Sequence, residues 1–228
     1  MGAPKGGAFS EYVVVKSKQV YHLPAELTLK KAALVEPASI AFHSIDLANI
    51  KIGDTVVVLG GGAIGLLNLQ IAKYSGANLV ILSEPDEFRR KIGEKVGADM
   101  VIDPLNSDIK DIVLQETNGR GADICVEAAG IRQTIELSTE LVKNGGTVLQ
   151  VGWIKEGSKV NVDMYAVYRK EIKIQGSFWS PYSFNKTINI MGKLNLDPLI
   201  TIFKVIDSFI EAIKNAKEKK GIKTVVKI

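Results

Sequence analysis

One stretch of the sequence, residues 54–65, constrains the fold more than any other. It begins with Thr55–Leu59, an unbroken run of β-branched and aliphatic residues, which is typical of a strand buried on both faces of a parallel sheet. Three glycines follow with the spacing G-x-G-x-x-G: Gly60, Gly62 and Gly65. A mainly apolar run over 66–74 then predicts a helix. This order predicts a pyrophosphate site, because the free N–H groups at the start of the helix face the phosphates.

The acidic residue Glu84 indicates which dinucleotide would bind. It stands nineteen positions after Gly65, at the end of a strand predicted over 78–83. An acid about 20 residues beyond the glycines binds the adenosine ribose of NAD, and its charge would repel the 2'-phosphate of NADP. The alternative interpretation of Glu84 is an ordinary solvated loop carboxylate. Arg89 and Arg90 follow closely, and either could turn towards a 2'-phosphate.

Strands and helices alternate along the middle of the chain. Further strands are predicted over 100–102, 124–128, 147–151 and 172–176. Helices are predicted between them, with Asp86 and Ser107 as N-caps. This alternation predicts an α/β fold in which a doubly wound parallel sheet of the Rossmann type has right-handed crossovers. A ligand would then lie at the carboxyl ends of the strands, where the strand order reverses.

The two ends of the chain do not continue this alternation. At the N-terminal end we predict a strand over 11–15, a helix over 30–34 capped by Thr28, and a helix over 38–47. Beyond residue 180 we predict a helix over 181–194, a strand over 199–203, a helix capped by Asp207 and a final strand over 222–228. The ends are therefore expected to belong to a second domain.

Composition argues against several classes of protein. The net charge of the 228 residues is +4, with the excess lysine mostly in residues 214–227, so a solvated surface is favoured over a nucleic-acid interface. No apolar run approaches the ~20 residues of a membrane span. With a single cysteine, Cys125, no intrachain disulfide is possible, and a cytoplasmic location is predicted.

Several short motifs, spread over nearly the whole chain, resemble the medium-chain, zinc-dependent alcohol dehydrogenases. They are Phe-Ser-Glu-Tyr at 9–12, Ala-Leu-Val-Glu-Pro at 33–37, Gly-Asp-Thr-Val-Val-Val-Leu-Gly-Gly-Gly-Ala-Ile-Gly at 53–65, Gly-Ala-Asp at 97–99 and Lys-Gly-Ile-Lys at 220–223. The Val-Glu-Pro form is similar to the sorbitol, butanediol and threonine dehydrogenases. The resemblance is to the C-terminal two-thirds of such an enzyme. It implies hydride transfer between a secondary alcohol or polyol and NAD, in a homodimer or homotetramer.

The resemblance also implies which residues bind NAD. They are Gly60, Gly62, Ala63, Ile64 and Gly65 in the phosphate turn, Glu84 and Arg89 beside the ribose, Ala128 and Ala129 beside the adenosine half, and Val151, Gly152, Ser177 and Trp179 around the carboxamide. Residues 160–162 resemble an edge strand that pairs with its copy in a dimer, since unpaired edges invite pairing. The implied domains are residues 1–44, a remnant of a GroES-like catalytic domain, residues 45–180, the NAD-binding domain, and residues 181–228, the C-terminal part of the catalytic domain.

Zinc is the exception to this resemblance. In the family a zinc ion polarises the alcohol oxygen and needs about three protein ligands, but most of these ligands lie in an N-terminal third that has no counterpart here. Only Glu36 falls at the metal position, so we expect this chain alone to bind no zinc and to be inactive. His22 is interpreted as a surface or packed residue, and Cys125 as a core residue. His43 stands seven positions after Glu36 and could share a helix face with it, but two residues do not make a zinc site.

Two other hypotheses fit the same glycine motif. The chain would be a non-catalytic dinucleotide-binding module, or a methyltransferase that uses the same turn, although the sixth strand and the C-terminal segment do not favour the latter. In the dehydrogenase hypothesis, the strands over 11–15 and 222–228 would lack their barrel partners. Both ends are then expected to be disordered, rearranged or covered by another subunit, because unpaired edges and apolar faces are exposed.

Overall fold

The computed structural model describes residues 7, 9–180, 182–205, 208–218 and 220–227. Its main feature is a six-stranded parallel sheet made of β1 Thr55–Leu59, β2 Leu79–Ser83, β3 Met100–Ile102, β4 Ala122–Glu127, β5 Val142–Gln150 and β6 Lys173–Gly176. The strand order is β3-β2-β1-β4-β5-β6, so the order reverses between β1 and β4. This is the arrangement of a doubly wound Rossmann sheet, and the predicted α/β fold class is confirmed.

Helices connect these strands and also occur before β1 and after β6. They are α1 Leu29–Ala32, α2 Val35–Ala48, α3 Ala63–Tyr74, α4 Glu87–Lys95, α5 Ile109–Glu116, α6 Arg132–Leu141, α7 Met164–Arg169, α8 Phe184–Ile190 and α9 Phe209–Lys217. Two further strands, β7 Ile202–Val205 and β8 Thr224–Lys227, pair in parallel as a small second sheet. None of the helices in the described part of the chain is both long and apolar enough to cross a bilayer.

Both faces of the large sheet are covered, as the apolar sequence of β1 predicts. Val56 and Val58 belong to one buried cluster, which continues into α2 and α3 and reaches Val225 near the C-terminal end. Val57 and Leu59 belong to a second buried cluster, which includes residues of α5 and α6. Because successive side chains of a strand point to opposite faces, β1 contributes to both clusters and lies at the centre of the core.

The helix starts follow the capping rules, with one correction. The side chains of Thr28 and Asp86 accept hydrogen bonds from amides in the first turns of α1 and α4, as predicted. The predicted cap Ser107 is wrong by one residue. Asp108 caps α5 instead, and its carboxylate accepts from two amides at 2.8 and 3.2 Å. A carboxylate at this position also interacts favourably with the helix dipole. The predicted cap Asp207 lies outside the described residues.

The predicted strands of the large sheet lie within two residues of the observed bounds, except at the start of β5. A start at residue 147 was predicted, but α6 ends at Leu141 and β5 begins directly at Val142. Val142 pairs with Ala122, and regular pairing resumes at Thr147 after a register shift. Gly145, with a φ of +71°, lies in this irregular stretch. The glycines therefore interrupt the ladder without ending the strand.

The terminal segments depart most from the sequence prediction. The strand predicted over 11–15 is wrong, because these residues form no strand and a 3₁₀ turn follows at Ser17–Gln19. At the other end, β7 starts three residues later than predicted, because Asp197–Leu199 forms a 3₁₀ turn with a proline at its start. The helix predicted over 181–194 is divided into α8 and a 3₁₀ turn, Met191–Lys193. The final strand is confirmed over Thr224–Lys227.

The two terminal segments contact each other. The ring centroids of Phe9 and Phe209 are 4.7 Å apart, and Lys31 forms an ion pair of 2.9 Å with Asp197. The N-terminal segment nevertheless keeps a large apolar surface, since the side chain of Val14 is 99% exposed. Apolar residues at this end are therefore not covered by the described part of the chain.

Candidate dinucleotide-binding site

The glycine turn after β1 leaves open space above the start of α3. Gly60 has a φ of +106°, and a Cβ atom there would lie 2.9 Å from the amide nitrogen of Ala129. A Cβ atom at Gly65 would overlap the carbonyl oxygen of Gly60. A Cβ atom at Gly62, by contrast, would meet nothing within 4 Å. Helix α3 begins with Ala63, and no side chain caps its first amides. The opening thus lies where a phosphate oxygen could accept their hydrogen bonds.

Glu84 lies against this turn and is only 5% exposed. Its Oε2 accepts a hydrogen bond from the N–H of Gly61 at 2.6 Å, and its Oε1 accepts one from the N–H of Asp86 at 2.9 Å. An ionised carboxylate can accept about four hydrogen bonds, so Glu84 keeps acceptor capacity beyond its two bonds to the described residues. Gly61 was not singled out in the sequence, although three glycines in a row are a signal. A Cβ atom there would lie 2.9 Å from the Cγ of Glu84.

The two arginines next to Glu84 differ in their surroundings. Arg90 donates from Nη1 to the carbonyl oxygens of Glu84 and Pro85 at 2.9 and 2.6 Å, and its Nη2 lies 3.1 Å from Asp103. The pKa of Asp103 is lowered mainly by a hydrogen bond from a backbone amide, and Arg90 lowers it further. Arg90 would have to leave three acceptors to reach a 2'-phosphate. Arg89 lies in the first turn of α4, where its backbone N–H donates to the capping carboxylate.

Other residues predicted to contact the dinucleotide directly follow the strands β4, β5 and β6, and their backbone hydrogen bonds extend the pairing of the sheet at the carboxyl ends of its strands. Three backbone bonds of 2.9 Å show this: Ala128 N–H donates to Leu59, Val151 N–H to Glu127, and Ser177 N–H to Gln150. The carboxyl ends of parallel strands lie side by side. The structure therefore brings the loops after β1, β4, β5 and β6 together along one edge.

Ser177 and Trp179 follow β6 at this edge. The hydroxyl oxygen of Ser177 is buried and has no hydrogen-bond partner among the described residues, so its capacity to bind an amide group is unused. Trp179 has a φ of +61°, and its side chain is 70% exposed. The next residue, Ser180, is joined to Ser39 of α2 by a hydroxyl–hydroxyl bond of 2.9 Å. This bond ties the loop after β6 to the helix that carries Glu36.

Glu127, at the end of β4, was not recognised in the sequence. It is fully buried, and its carboxylate accepts four hydrogen bonds from uncharged groups. The donors are the N–H groups of Ala129 and Gly130, the hydroxyl of Thr134 and the side-chain amide of Gln150. The available signal was a single acid at the end of an apolar strand. A carboxylate is buried there only if donors surround it.

A zinc ion does not fit the described residues. Glu36, the one residue that the resemblance places at the metal, lies exposed in the first turn of α2. The described part of the chain contains no group of three histidine, cysteine, aspartate or glutamate side chains that could hold a metal. Cys125 is buried in β4, as the core interpretation requires, and burial raises the pKa of its thiol. We therefore derive no catalytic step that uses zinc.

Fold and site together define a dinucleotide-binding protein of the Rossmann type. The family model described as zinc-binding dehydrogenase matches residues 63–195, more than half of the chain. The chain therefore belongs to the zinc-binding dehydrogenase family, and the resemblance seen in its motifs is confirmed.

Named relatives support the same assignment. An L-threonine 3-dehydrogenase from Thermococcus kodakarensis is 34% identical over 216 residues, which are 92% of this chain and 61% of that protein. A zinc-binding dehydrogenase from Sinorhizobium meliloti 1021, solved bound to NADP, has a TM-score of 0.91 and 34% identity, with 96% of this chain and 66% of that one covered. The 2R,3R-butanediol dehydrogenase of Bacillus subtilis also has a TM-score of 0.91, at 28% identity, with 99% and 65% covered. The chain thus spans less than two thirds of the length of these proteins.

Proposed function

We propose that the chain binds NAD across the carboxyl ends of its parallel strands, for hydride transfer between NAD and a secondary alcohol or polyol. The observation that carries this proposal is the open position at Gly62, which faces the uncapped start of α3. The pyrophosphate would accept hydrogen bonds from amides of the turn and of Ala63, Ile64 and Gly65. The carboxylate of Glu84 would accept from the ribose hydroxyls with its remaining acceptor sites.

The other predicted contacts complete this proposal. Ala128 and Ala129 would lie beside the adenosine half, while Val151, Gly152, Ser177 and Trp179 would surround the carboxamide. Arg89 would lie near the ribose, and Ile64 would press on the nicotinamide face. When bound, NAD would supply the hydride acceptor, and the relatives named threonine and butanediol dehydrogenases support a small alcohol as the hydride donor. Because the described residues offer no metal-binding group, we expect this chain alone to bind NAD without turnover.

A choice between NAD and NADP is the sharpest test of the role of Glu84. The Sinorhizobium meliloti relative is bound to NADP, so the preference cannot be taken over from it. We expect NAD to bind this chain about tenfold more tightly than NADP, which corresponds to about 1.4 kcal/mol, because the buried charge repels a 2'-phosphate. Titration calorimetry with both dinucleotides on the wild type, Glu84→Gln and Glu84→Ser measures this preference.

The two variants separate charge from loop support. Glu84→Gln keeps an acceptor for the N–H of Gly61, gives up the bond from the N–H of Asp86, and has no charge, so its preference for NAD should vanish while NAD still binds. Glu84→Ser is too short to reach the N–H of Gly61, so both dinucleotides should bind more weakly. Glu87→Gln, on the exposed side of α4 where Glu87 pairs with Lys91, is the matched control and should keep the preference. Equal affinities in the wild type would refute the role of Glu84.

We further propose a homodimer or homotetramer in which the side of the large sheet that ends in its outermost strand, β6, pairs with the same side of another copy. All four residues of β6 are exposed, and residues 160–162 have no ladder partner in the described part of the chain. This fits the three domains implied by the resemblance, 1–44, 45–180 and 181–228, with the middle one at the interface. Sedimentation velocity at tens of micromolar protein should give two or four times the chain mass of 24.7 kDa. A monomer at that concentration would contradict the proposal.

The single cysteine supports a cytoplasmic location, which fractionation of cells would test.

A further inference from the structure

The buried carboxylate of Glu127 has hydrogen-bond partners in the segment that follows β4 and in the neighbouring strand β5. Its Oε1 accepts from the N–H groups of Ala129 and Gly130 at 3.0 and 2.9 Å, and from the hydroxyl of Thr134 at 2.7 Å. These donors belong to the loop after β4 and to the first turn of α6. Its Oε2 accepts at 2.6 Å from the side-chain amide of Gln150, the last residue of β5. One carboxylate thus joins two neighbouring loops of the site.

The same two loops are packed together without free space. The Gln150 amide that bonds to Glu127 also donates to the carbonyl oxygen of Gly152 at 2.9 Å. A Cβ atom at Gly152 would overlap the amide nitrogen of Gly130 and would lie 2.7 Å from the Oε2 of Glu127. A Cβ atom at Gly130 would overlap the backbone of Trp153. The relative position of the loops therefore depends on this close packing and on Glu127, whose carboxylate makes the bonds above and whose backbone carbonyl oxygen accepts from the N–H groups of Val151 and Gly152 at 2.9 and 2.8 Å.

We infer that Glu127 is a positioning residue, which ties the loop after β4 to the loop after β5 and so aligns the adenosine and nicotinamide halves of the dinucleotide. The inference rests on the proposed function, in which Ala128 and Ala129 serve the first half, and Val151 and Gly152 the second. Glu127 itself is saturated by its four donors and does not contact the ligand. Its effect on binding passes through the two loops.

The substitution Glu127→Gln can break one of these ties and keep the other. The oxygen of the new side-chain amide stays at the Oε1 position, because three donors point at that position. The nitrogen of the same amide then faces the amide nitrogen of Gln150, and two donors cannot bond to each other. Gln150 must turn away or flip its amide so that the oxygen faces the new nitrogen, and in both cases its own nitrogen releases the carbonyl oxygen of Gly152. The loop after β4 keeps its support, while the loop after β5 loses its side-chain support and keeps only the backbone bonds of Val151 and Gly152 to the carbonyl oxygen of Glu127, at 2.9 and 2.8 Å.

The test is titration calorimetry of NAD and of AMP, which carries only the adenosine half, into the wild-type chain and three variants. We expect Glu127→Gln to weaken NAD about tenfold and to change AMP by less than about twofold. Gln150→Leu removes the same tie from the other side, at a half-buried position, and should give the same pattern. The double variant should be no weaker than either single one, because the two side chains act through one bond.

A purely structural role would lower the melting temperature and leave the ratio of the NAD and AMP affinities unchanged. Glu140→Gln is the control for the chemistry of the substitution, since Glu140 is exposed and forms an ion pair with Lys110, and its ratio should equal that of the wild type. An unchanged ratio in both Glu127→Gln and Gln150→Leu would overturn the inference and leave the proposed function standing. A wild-type chain that binds neither NAD nor AMP would overturn both.

Discussion

The two halves of the sheet edge use a buried glutamate and a glycine in opposite ways. After β2, Glu84 makes two hydrogen bonds and lies beside a turn in which Gly62 faces open space. At the end of β4, Glu127 makes four hydrogen bonds and lies beside Gly152, where no side-chain atom fits. Both acids are buried and both glycines follow a strand, yet only the first glutamate keeps acceptor capacity, and only the first glycine faces open space.

This difference separates a surface that receives a ligand from the scaffold that supports it. A ligand needs donors and acceptors that the protein has not already used, and room to approach them. The Gly62 and Glu84 half offers both. Around Glu127 and Gly152, the carboxylate and the amide of Gln150 are already bonded within the protein and hold two loops together, so a change there alters structure first and binding second.

The largest expected effect separates the halves by their glycines. Gly152→Ala should lower the free energy of unfolding by about 3 kcal/mol, because the added methyl group meets backbone atoms of Gly130 and cannot be accommodated without a backbone shift. Gly62→Ala is its matched control. Gly62 has a φ of −72°, which any residue adopts, and open space around it, so the loss should be less than about 1 kcal/mol. Urea denaturation followed by circular dichroism measures both.

The effect of Gly62→Ala on NAD binding should be larger than its effect on stability. The methyl group of Gly62→Ala stands where a pyrophosphate would approach, so NAD should bind at least about tenfold more weakly although the fold is intact. If Gly62→Ala proved as destabilising as Gly152→Ala, the opening would be filled in solution and the contrast between the halves would be lost. If it were stable and bound NAD normally, the turn would not be the phosphate site.

The parts of the fold that the sequence predicted are those decided by nearby residues. The unbroken apolar run of β1, the glycine spacing and the caps Thr28 and Asp86 act within a few positions, so their outcome is visible in the sequence. Residues 11–15 have a strand-like pattern as well. A strand also needs a partner, and the described residues provide none for this segment.

The residues of the candidate site also differ in whether nearby sequence decides their positions. The position of Glu84 is set by its distance from the glycines along one strand and one helix, so it could be predicted. The role of Glu127 depends on donors from three separate segments, of which Gln150 lies on a different strand, and no local pattern brings them together. The middle glycine of the run 60–62, Gly61, could have been recognised, since only a residue without a side chain fits between the turn and Glu84.

The smallest expected effect tests whether solvent is excluded from the buried region around Glu127. Cys125 lies two residues before Glu127, and burial, followed by the charge of Glu127, raises the pKa of its thiol above the ordinary value of 9.0. Below pH 9 the thiol is neutral in the folded and the unfolded chain. Above pH 9 only the thiol of the unfolded chain ionises, so the folded state loses stability as the pH rises.

The free energy of unfolding should be about 1.4 kcal/mol lower at pH 10 than at pH 8 from this group alone. Cys125→Ala should be less stable at both pH values but should lack this part of the decrease, and urea denaturation at the two pH values isolates it. An equal decrease in both proteins would mean that the thiol ionises within the fold, and that solvent reaches the half of the edge that Glu127 holds together.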